Sequence, residues 1–307
     1  MTGRGSGKKK TEALPGLVDY ALLLVKAALA EDIGGGDITT GSIIAKTAKG
    51  EAEFIAKEDM VLAGLFIAGK TFKLLDKSSV FKTFFKDGDA VKKGTVIAVV
   101  KGRLAPILTG ERVALNFLQR LSGIATLTRE FTKKIDDRGV KLLDTRKTTP
   151  CLRILEKYAV KAGGGFNHRF GLFDAVLIKD NHIAASGGVK KAVDKVLKKY
   201  RDSVPVEVEV TNYKEVREAV EAGADIIMLD NMDPERIRKS LKIIKNRALV
   251  EVSGGVTLSN VREIASTGVD FISVGALTHS ARSMDISMEV VSYAGKRGRR
   301  GRDNKAS

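Results

Sequence analysis

Apolar and polar positions follow two different textures along this chain, and the change falls near residue 140. Leu17 to Ala30 is apolar on more than one face of a 3.6-residue repeat, which predicts a helix. Glu31-Asp32-Ile33 and the triplet Gly34-Gly35-Gly36 end it. Glu51 to Lys57 alternates polar and apolar residues, the pattern of a half-buried strand. Gly64 to Leu75 reads as a helix, and Val80–Phe85 and Thr95–Val100 as strands. Between those strands Asp87-Gly88-Asp89 carries the Asp-Gly hairpin signal. Ala105 to Asp136 is one long helical stretch, with a break expected at Ser122-Gly123.

Beyond residue 140 short apolar runs recur at Val140–Leu143, Ala175–Ile178, Val206–Val210, Ile226–Leu229, Leu249–Val252 and Phe271–Val274. Helical segments separate them: Leu152–Lys161, Val189–Tyr200, Tyr213–Ala222, Pro234–Ile244 and Leu258–Ser266. Strands alternating with helices define βα units and a parallel sheet. Six such strands fit a barrel, complete or partial, and equally an open sheet; the pattern does not choose.

Parallel α/β folds gather their chemistry at the carboxyl ends of strands. Here Val140–Leu143 runs into Asp144-Thr145-Arg146-Lys147, and Ala175–Ile178 into Lys179-Asp180-Asn181-His182. The third run carries Glu207 and Glu209, and the fourth leads to Asp230-Asn231. The last two lead to Ser253-Gly254-Gly255 and Gly275-Ala276. A polar, charged or glycine residue at every exit predicts an enzyme site.

The glycines at the last two exits let backbone N–H groups approach an anion, and each exit is expected to precede a helix. One such loop alone is an ordinary tight turn. Two consecutive ones match the usual phosphate site of barrels. Arg146, Lys147, His168, Arg169 and Lys179 gather cations at the same mouth, for which a solvated basic rim is the plainer reading. Lys179, however, directly follows an apolar run, and a buried lysine requires an anionic partner, a shifted pKa or a reaction. Glu207 and Glu209 share one face of their strand. Glu209 and Asp230 are the opposing acids, suited to a structural ion pair, Mg²⁺ or ribose hydroxyls. His182 and His279 are ambiguous on position alone, and Cys151 reads as a small buried residue of a first helical turn rather than a nucleophile.

Composition narrows the class. The 307 residues, 43 % hydrophobic and 29 % charged, are globular and long enough for about two domains. A single cysteine excludes an internal disulfide, and with three histidines it cannot build a Cys-rich zinc module. The longest apolar run, Ala21–Val25, stops at Lys26, far short of a membrane span, and the basic start has the wrong character for a signal peptide. A soluble protein of the reducing cytoplasm is the expectation. The formal charge is +16, of which residues 1–10 carry +4 and residues 295–307 carry +5. These Gly-rich ends have no interleaved aromatics for base stacking, which favours solvated tails over nucleic-acid binding.

An ordered set of motifs then spans residues 20 to 290: Gly36-Asp37-Ile38-Thr39-Thr40, Glu111-Arg112-Val113-Ala114-Leu115-Asn116 and Asp144-Thr145-Arg146-Lys147-Thr148-Thr149-Pro150. Gly164-Gly165-Phe166-Asn167-His168-Arg169, Lys179-Asp180-Asn181-His182 and Glu207-Val208-Glu209 follow. Leu229-Asp230-Asn231, Ser253-Gly254-Gly255 and Val274-Gly275-Ala276-Leu277-Thr278-His279-Ser280 complete it. In these the chain resembles the quinolinate phosphoribosyltransferases. The resemblance implies an α/β protein with an N-terminal α/β sandwich (residues 12–115, joined by 281–294) and an incomplete six-stranded α/β barrel (116–280). The flexible basic tails expected from composition (1–11 and 295–307) are not part of that family pattern. The resemblance implies transfer of phosphoribosyl from 5-phosphoribosyl 1-pyrophosphate to quinolinate with Mg²⁺, yielding nicotinate mononucleotide, pyrophosphate and CO₂, a step of NAD biosynthesis.

It also implies roles. Arg112 would reach the partner's site in a homodimer or a multiple of it, while Arg146, His168, Arg169 and Lys179 hold quinolinate. Lys147 and Lys179 would meet carboxylate or pyrophosphate and, with Glu209 and Asp230, form the catalytic set. Glu209 and Asp230 would bind ribose hydroxyls and Mg²⁺, directly or through water; Ser253, Gly254, Gly255, Gly275 and His279 would hold the 5′-phosphate. Three other readings stay open: a paralogue using a different acid, a Schiff-base lyase acting through Lys179, and a nucleic-acid binder acting through the tails.

Overall fold

In a computed structural model, which describes residues 16–200, 203–293 and 296–297, helix α1 (Leu17–Ile33) leads the fold. It buries Leu17, Ala21, Val25 and Leu29, one residue per turn along a single stripe. A short helix α2 (Ile38–Ile43) follows, with Asp37 accepting from Thr40 N–H at 2.8 Å as its N-cap. Next come β1 (Lys49–Ala56), β2 (Met60–Val61), α3 (Leu65–Leu75), β3 (Val80–Thr83), β4 (Ala90–Val91) and β5 (Val96–Arg103). The 32-residue helix α4 (Leu104–Ile135) then crosses the molecule.

The second half runs β6 (Lys141–Leu143), α5 (Arg153–Gly163), β7 (Val176–Ile178), α6 (Asp180–Ser186), α7 (Val189–Tyr200), β8 (Val206–Val210), α8 (Tyr213–Ala222) and β9 (Ile226–Asp230). It continues through α9 (Pro234–Ile244), β10 (Leu249–Ser253), α10 (Val261–Ala265), β11 (Phe271–Ser273) and α11 (Ala276–His279). The chain then returns as β12 (Ile286–Tyr293) and β13 (Lys296–Arg297). Of the two basic ends, residues 1–15, 294–295 and 298–307 lie outside the described residues.

Two sheets organise these elements. The first, in the order β13-β12-β1-β5-β3, is antiparallel, and α3 and α4 pack on it over a core that includes Phe54, Phe72, Ile97, Ile107 and Leu118. The second, in the order β6-β11-β10-β9-β8-β7, is parallel throughout. Among the described residues no hydrogen-bonded pairing joins β6 to β7, so the barrel is incomplete. Its strands are rich in buried valines, isoleucines and leucines, as a parallel sheet covered by helices requires, with Glu207, Glu209 and Glu251 set among them.

Two local expectations fail for physical reasons. The Asp87-Gly88-Asp89 turn does not close a hairpin between β3 and β5. Those strands do pair, but the chain between them first forms β4, which pairs with β2. Asp87 is held instead, accepting from Leu65 N–H at 3.1 Å and from the Tyr158 hydroxyl. The second failure is the break at Ser122-Gly123, because α4 is continuous. The Ser122 hydroxyl bonds to the neighbouring segment rather than to its own helix, accepting from Ala63 N–H at 3.1 Å and donating to Ala63 O at 3.4 Å. Gly123 is there for proximity: a Cβ at this position would overlap the backbone carbonyl of Arg282. Residues 115 and 116 both lie inside α4, whose Leu115 and Leu118 belong to one core and Leu121 and Ile124 to the other.

The free edge of β6 is covered by residues 165–168. Leu143 and Phe166 form a parallel bridge, Phe166 N–H donates to Leu142 O at 2.8 Å, and Asp144 N–H donates to Phe166 O at 3.1 Å. The Asp144 carboxylate then pairs with Lys157 Nζ, both side chains being fully buried. His168 N–H donates to Asp144 Oδ1 at 2.9 Å, and Lys157 Nζ donates to His168 O at 2.9 Å. With its amide nitrogen turned inward, Asn167 also donates to Asp144 Oδ2 at 2.8 Å. Burial pushes the Asp144 carboxyl up to about 6, against the pull of the Lys157 charge.

Two outcomes follow from this packing. Gly123→Ala forces α4 away from the segment at Arg282 and should cost about 2–3 kcal/mol, read as a lower urea midpoint. Lys157→Met leaves Asp144 buried without its cation and should cost about 3–5 kcal/mol at pH 7.5. The folded state then holds the Asp144 proton more tightly than the unfolded chain. Stability of this variant should therefore recover as pH falls toward 5, whereas an unchanged deficit across that range would rule out the pair as its cause.

Candidate active site

The carboxyl ends of the six barrel strands open into a cavity of about 700 Å³. Each strand contributes to its wall at the exit or just after it. Arg146 and Lys147 come from the loop after β6, His168 and Arg169 from the segment covering β6, and Lys179 from the end of β7. Glu209 stands on β8, Asp230 ends β9, Ser253-Gly254-Gly255 follows from β10, and Gly275 and His279 follow β11. Of the residues to which the resemblance gives a site role, Arg112 alone lies elsewhere. It is exposed on α4, in a separate open depression shared with Asp32, Asp37 and Glu111.

The cations divide into paired and unpaired. Arg146 is half-buried, and its Nε is buried with no hydrogen-bond partner among the described residues. Arg169 donates Nη1 to Ala175 O at 3.3 Å. Neither has a carboxylate at ion-pair distance among the described residues. Burial draws the Arg169 guanidinium below its ordinary value, and the like charge of Arg146 adds to that shift. Lys147 is exposed, and its stem packs over Gly275: a Cβ there would lie 3.0 Å from Lys147 Cδ and 3.2 Å from the His279 ring. Gly275 thus lets Lys147 and His279 meet over one backbone turn. Thr278 Oγ1 ties that turn to the β6 loop by donating to Lys147 O at 2.7 Å. Behind it, buried Glu156 accepts from Arg120 Nη2 at 2.8 Å and from Thr149 N–H at 3.0 Å.

Lys179 differs from expectation. Its side chain is 44 % exposed and its Nζ lies 2.6 Å from Glu209 Oε2, so it is neither buried nor unpaired. The reason is local: β7 ends at Ile178, and Lys179 caps the unexpected helix α6, its N–H donating to His182 Nδ1 at 3.0 Å. His182 is therefore a capping residue. Cys151 is exposed rather than buried, at φ 64° in the loop before α5. The helix expected from Leu258 begins only at Val261, so the Ser253-Gly254-Gly255 turn does not run straight into a helix. Gly254 and Gly255 sit at φ 84° and 64°, a region glycine enters without strain. A Cβ on Gly254 would also overlap the Asn231 carboxamide.

The acids form two groups. Glu209 and Asp230 face the cavity, and Asp230 Oδ2 accepts from Asn231 Nδ2 at 2.8 Å. Deeper, Glu207 shares the inward face of β8 with Glu209, and its Oε2 lies 2.9 Å from His168 Nε2. Glu251 Oε2 is 3.6 Å from the same nitrogen, and Glu251 Oε1 accepts from Ser273 Oγ. Burial and the adjacent Glu207 charge push the Glu251 carboxyl up to about 8. Glu251 and Ser273 were not picked out from sequence. Glu251 stands two residues before Ser253, hence on the same strand face, and that period was the available signal.

Comparison with known proteins agrees with this geometry. Residues 37–122 match the family model of the quinolinate phosphoribosyl transferase N-terminal domain, and residues 124–289 match that of the C-terminal domain. The chain is 50 % identical over 260 residues to a probable nicotinate-nucleotide pyrophosphorylase [carboxylating] of Bacillus subtilis, covering 85 % of this chain and 90 % of the relative. It is 43 % identical over 286 residues to a quinolinate phosphoribosyltransferase [decarboxylating] of Nicotiana tabacum, covering 87 % and 81 %. The solved NadC of Streptococcus pyogenes superimposes with a TM-score of 0.87 at 42 % identity, over 93 % of this chain and 99 % of that one. A nicotinate-nucleotide pyrophosphorylase from Francisella tularensis does so with a TM-score of 0.85 at 43 % identity, over 92 % and 100 %. The chain belongs to the quinolinate phosphoribosyltransferase family.

Proposed function

We propose that the protein joins quinolinate to 5-phosphoribosyl 1-pyrophosphate, releasing pyrophosphate and CO₂ and forming nicotinate mononucleotide. The observation that carries this reading is the pair Arg146 and Arg169, two guanidiniums that line one cavity with no carboxylate at ion-pair distance among the described residues. A dianionic ring acid supplies the missing charges, and arginine accepts a carboxylate in a bidentate fork. His168 contributes a third donor from the same segment.

The opposite wall suits the sugar phosphate. The turns at Gly254-Gly255 and Gly275, with Ser253 and His279 beside them, offer backbone and side-chain donors to a 5′-phosphate. Lys147 and Lys179 are placed to neutralise pyrophosphate as its bond to C1′ breaks, while Glu209 and Asp230 face the cation that develops on the sugar. Those two carboxylates are hard oxygen donors within one cavity, which fits Mg²⁺ held by one or two acids together with phosphates and water. When bound, Mg²⁺ neutralises the phosphate charge. Holding ring nitrogen and C1′ in line accounts for much of the remaining acceleration. Once ribosylated, the ring nitrogen is cationic and takes up the electrons left by departing CO₂, so no protein nucleophile is needed. The alternative Schiff-base role of Lys179 loses support, because half-exposed Lys179 is engaged by Glu209 and lacks the apolar pocket that activates such lysines.

The proposal extends to a homodimer in which Arg112 completes the partner's site. Its exposure outside the cavity of its own chain is the supporting observation. The purified protein should form nicotinate mononucleotide from the two substrates with Mg²⁺ and not without it. Folded protein yielding no product from quinolinate, in a panel with nicotinate and other pyridine acids, would sink the assignment. Arg112→Ala and Lys147→Ala should each lose activity by about 100-fold, as for removal of a charged transition-state contact. Mixing the two after subunit exchange should restore activity, and no recovery would refute the shared site.

A further inference from the structure

His168 meets the cavity through a ring whose two nitrogens have different surroundings. Nε2 lies 2.9 Å from Glu207 Oε2 and 3.6 Å from Glu251 Oε2. Nδ1 has no hydrogen-bond partner among the described residues, although His168 lines the cavity. The backbone is fixed at both ends, its N–H on Asp144 and its C=O on Lys157 Nζ. The ring therefore has one acidic side and one side left for a ligand.

That division decides what the ring offers. In the neutral ring with a proton on Nε2, Nδ1 is an acceptor and repels a carboxylate. Only the doubly protonated ring donates at both nitrogens. We propose that Glu207 is a positioning residue for His168: it binds Nε2–H and balances the second ring proton, so that Nδ1–H is presented to a carboxylate of the aromatic acid. This rests on the assignment of quinolinate made above, and goes beyond it by giving Glu207 a task and His168 a charge.

The surroundings support it. Burial works against the charged ring, but the Glu207 bond, the Glu207 charge and the Glu251 charge outweigh it, and the imidazole is raised above its ordinary value. The charged groups around it are Glu207 on β8, Glu251 on β10, Asp144 after β6 and Lys157 on α5, with Arg146 and Arg169 in the same cavity. Three of these are cations, so a charged ring needs a dedicated anion. Glu207 is the nearer acid, at 2.9 Å against 3.6 Å for Glu251, and burial pushes the Glu251 carboxyl up and weakens its charge, so Glu207 is the main counter-charge. A glutamine at this position would orient the ring without balancing it.

The test is ¹⁵N NMR of the full-length protein without substrate, where only His168, His182 and His279 contribute ring signals and His168→Asn assigns the first. In the unaltered protein His168 should titrate above the ordinary value of about 6.5. In Glu207→Gln the midpoint should fall by at least about one pH unit, and Glu207→Asp should recover part of it. By calorimetry, Glu207→Gln should bind quinolinate at least about tenfold more weakly at pH 7.5, with the deficit shrinking at pH 6 as the ring charges. An ordinary His168 midpoint in the unaltered protein overturns the proposal even if Glu207→Gln does not fold, and so does the same midpoint in both proteins. A raised midpoint with no quinolinate binding by the unaltered protein would instead overturn the substrate assignment, leaving the Glu207–His168 relation standing.

Discussion

The buried ion pair between Asp144 and Lys157 is the constraint on which the site depends. An incomplete barrel leaves β6 without a strand on its outer side, and an open edge beside an active site must be covered. Residues 165–168 cover it, yet they make only a single bridge and a few backbone bonds. The Asp144 carboxylate supplies the rest by gathering Lys157, His168 N–H and Asn167. The same segment carries His168 and Arg169 into the cavity. One buried carboxylate thus both seals the barrel and aims two ligand-facing side chains. Burial of this kind is stabilising only while every partner is present.

Around that frame the charges are sorted by depth. Arg146 and Arg169 face the cavity without acids, Lys179 and Glu209 face each other at its mouth, and Glu207 and Glu251 lie beneath His168. The unpaired arginines are costly until an anion arrives, which makes the empty site selective for one. Among the described residues no acid lies at ion-pair distance from either arginine, although the Glu207 charge acts on Arg169. The net charge of +16 describes none of this, since its effect depends on which cations are already paired.

Much of this architecture was legible in the sequence, for reasons that can be traced to particular residues. Ile226–Asp230 is a short apolar run closed by a charged residue, and Val206–Val210 alternates valine with glutamate, so period and site chemistry agree. The cavity-lining residues named from those exits are brought together. What failed depended on distant contacts. Gly123 read as a weak point of α4, because nothing local shows that residues 281–285 press against it. The Asp-Gly turn read as a hairpin, because the pairing of β2 with β4 is set by tertiary packing. Lys179 read as buried because helix α6 is too short to announce itself by periodicity. Asp144 was seen at a strand exit, but its partner Lys157 and the adjacent Glu156 are charged residues buried in a helix, which periodicity does not announce.

The pairing of β1 with β12 has a consequence for how the molecule is made. Residues 49–56 must wait for residues 286–293, so the first sheet lacks an inner strand until almost the whole chain has been synthesised. Until then β1 exposes a row of free N–H and C=O groups, the kind of surface on which nascent chains stick to one another. In sequence, the strands of the parallel barrel all lie between these two segments. The first sheet can pair β1, β5 and β3 early, but the other edge of β1 is covered only when β12 arrives.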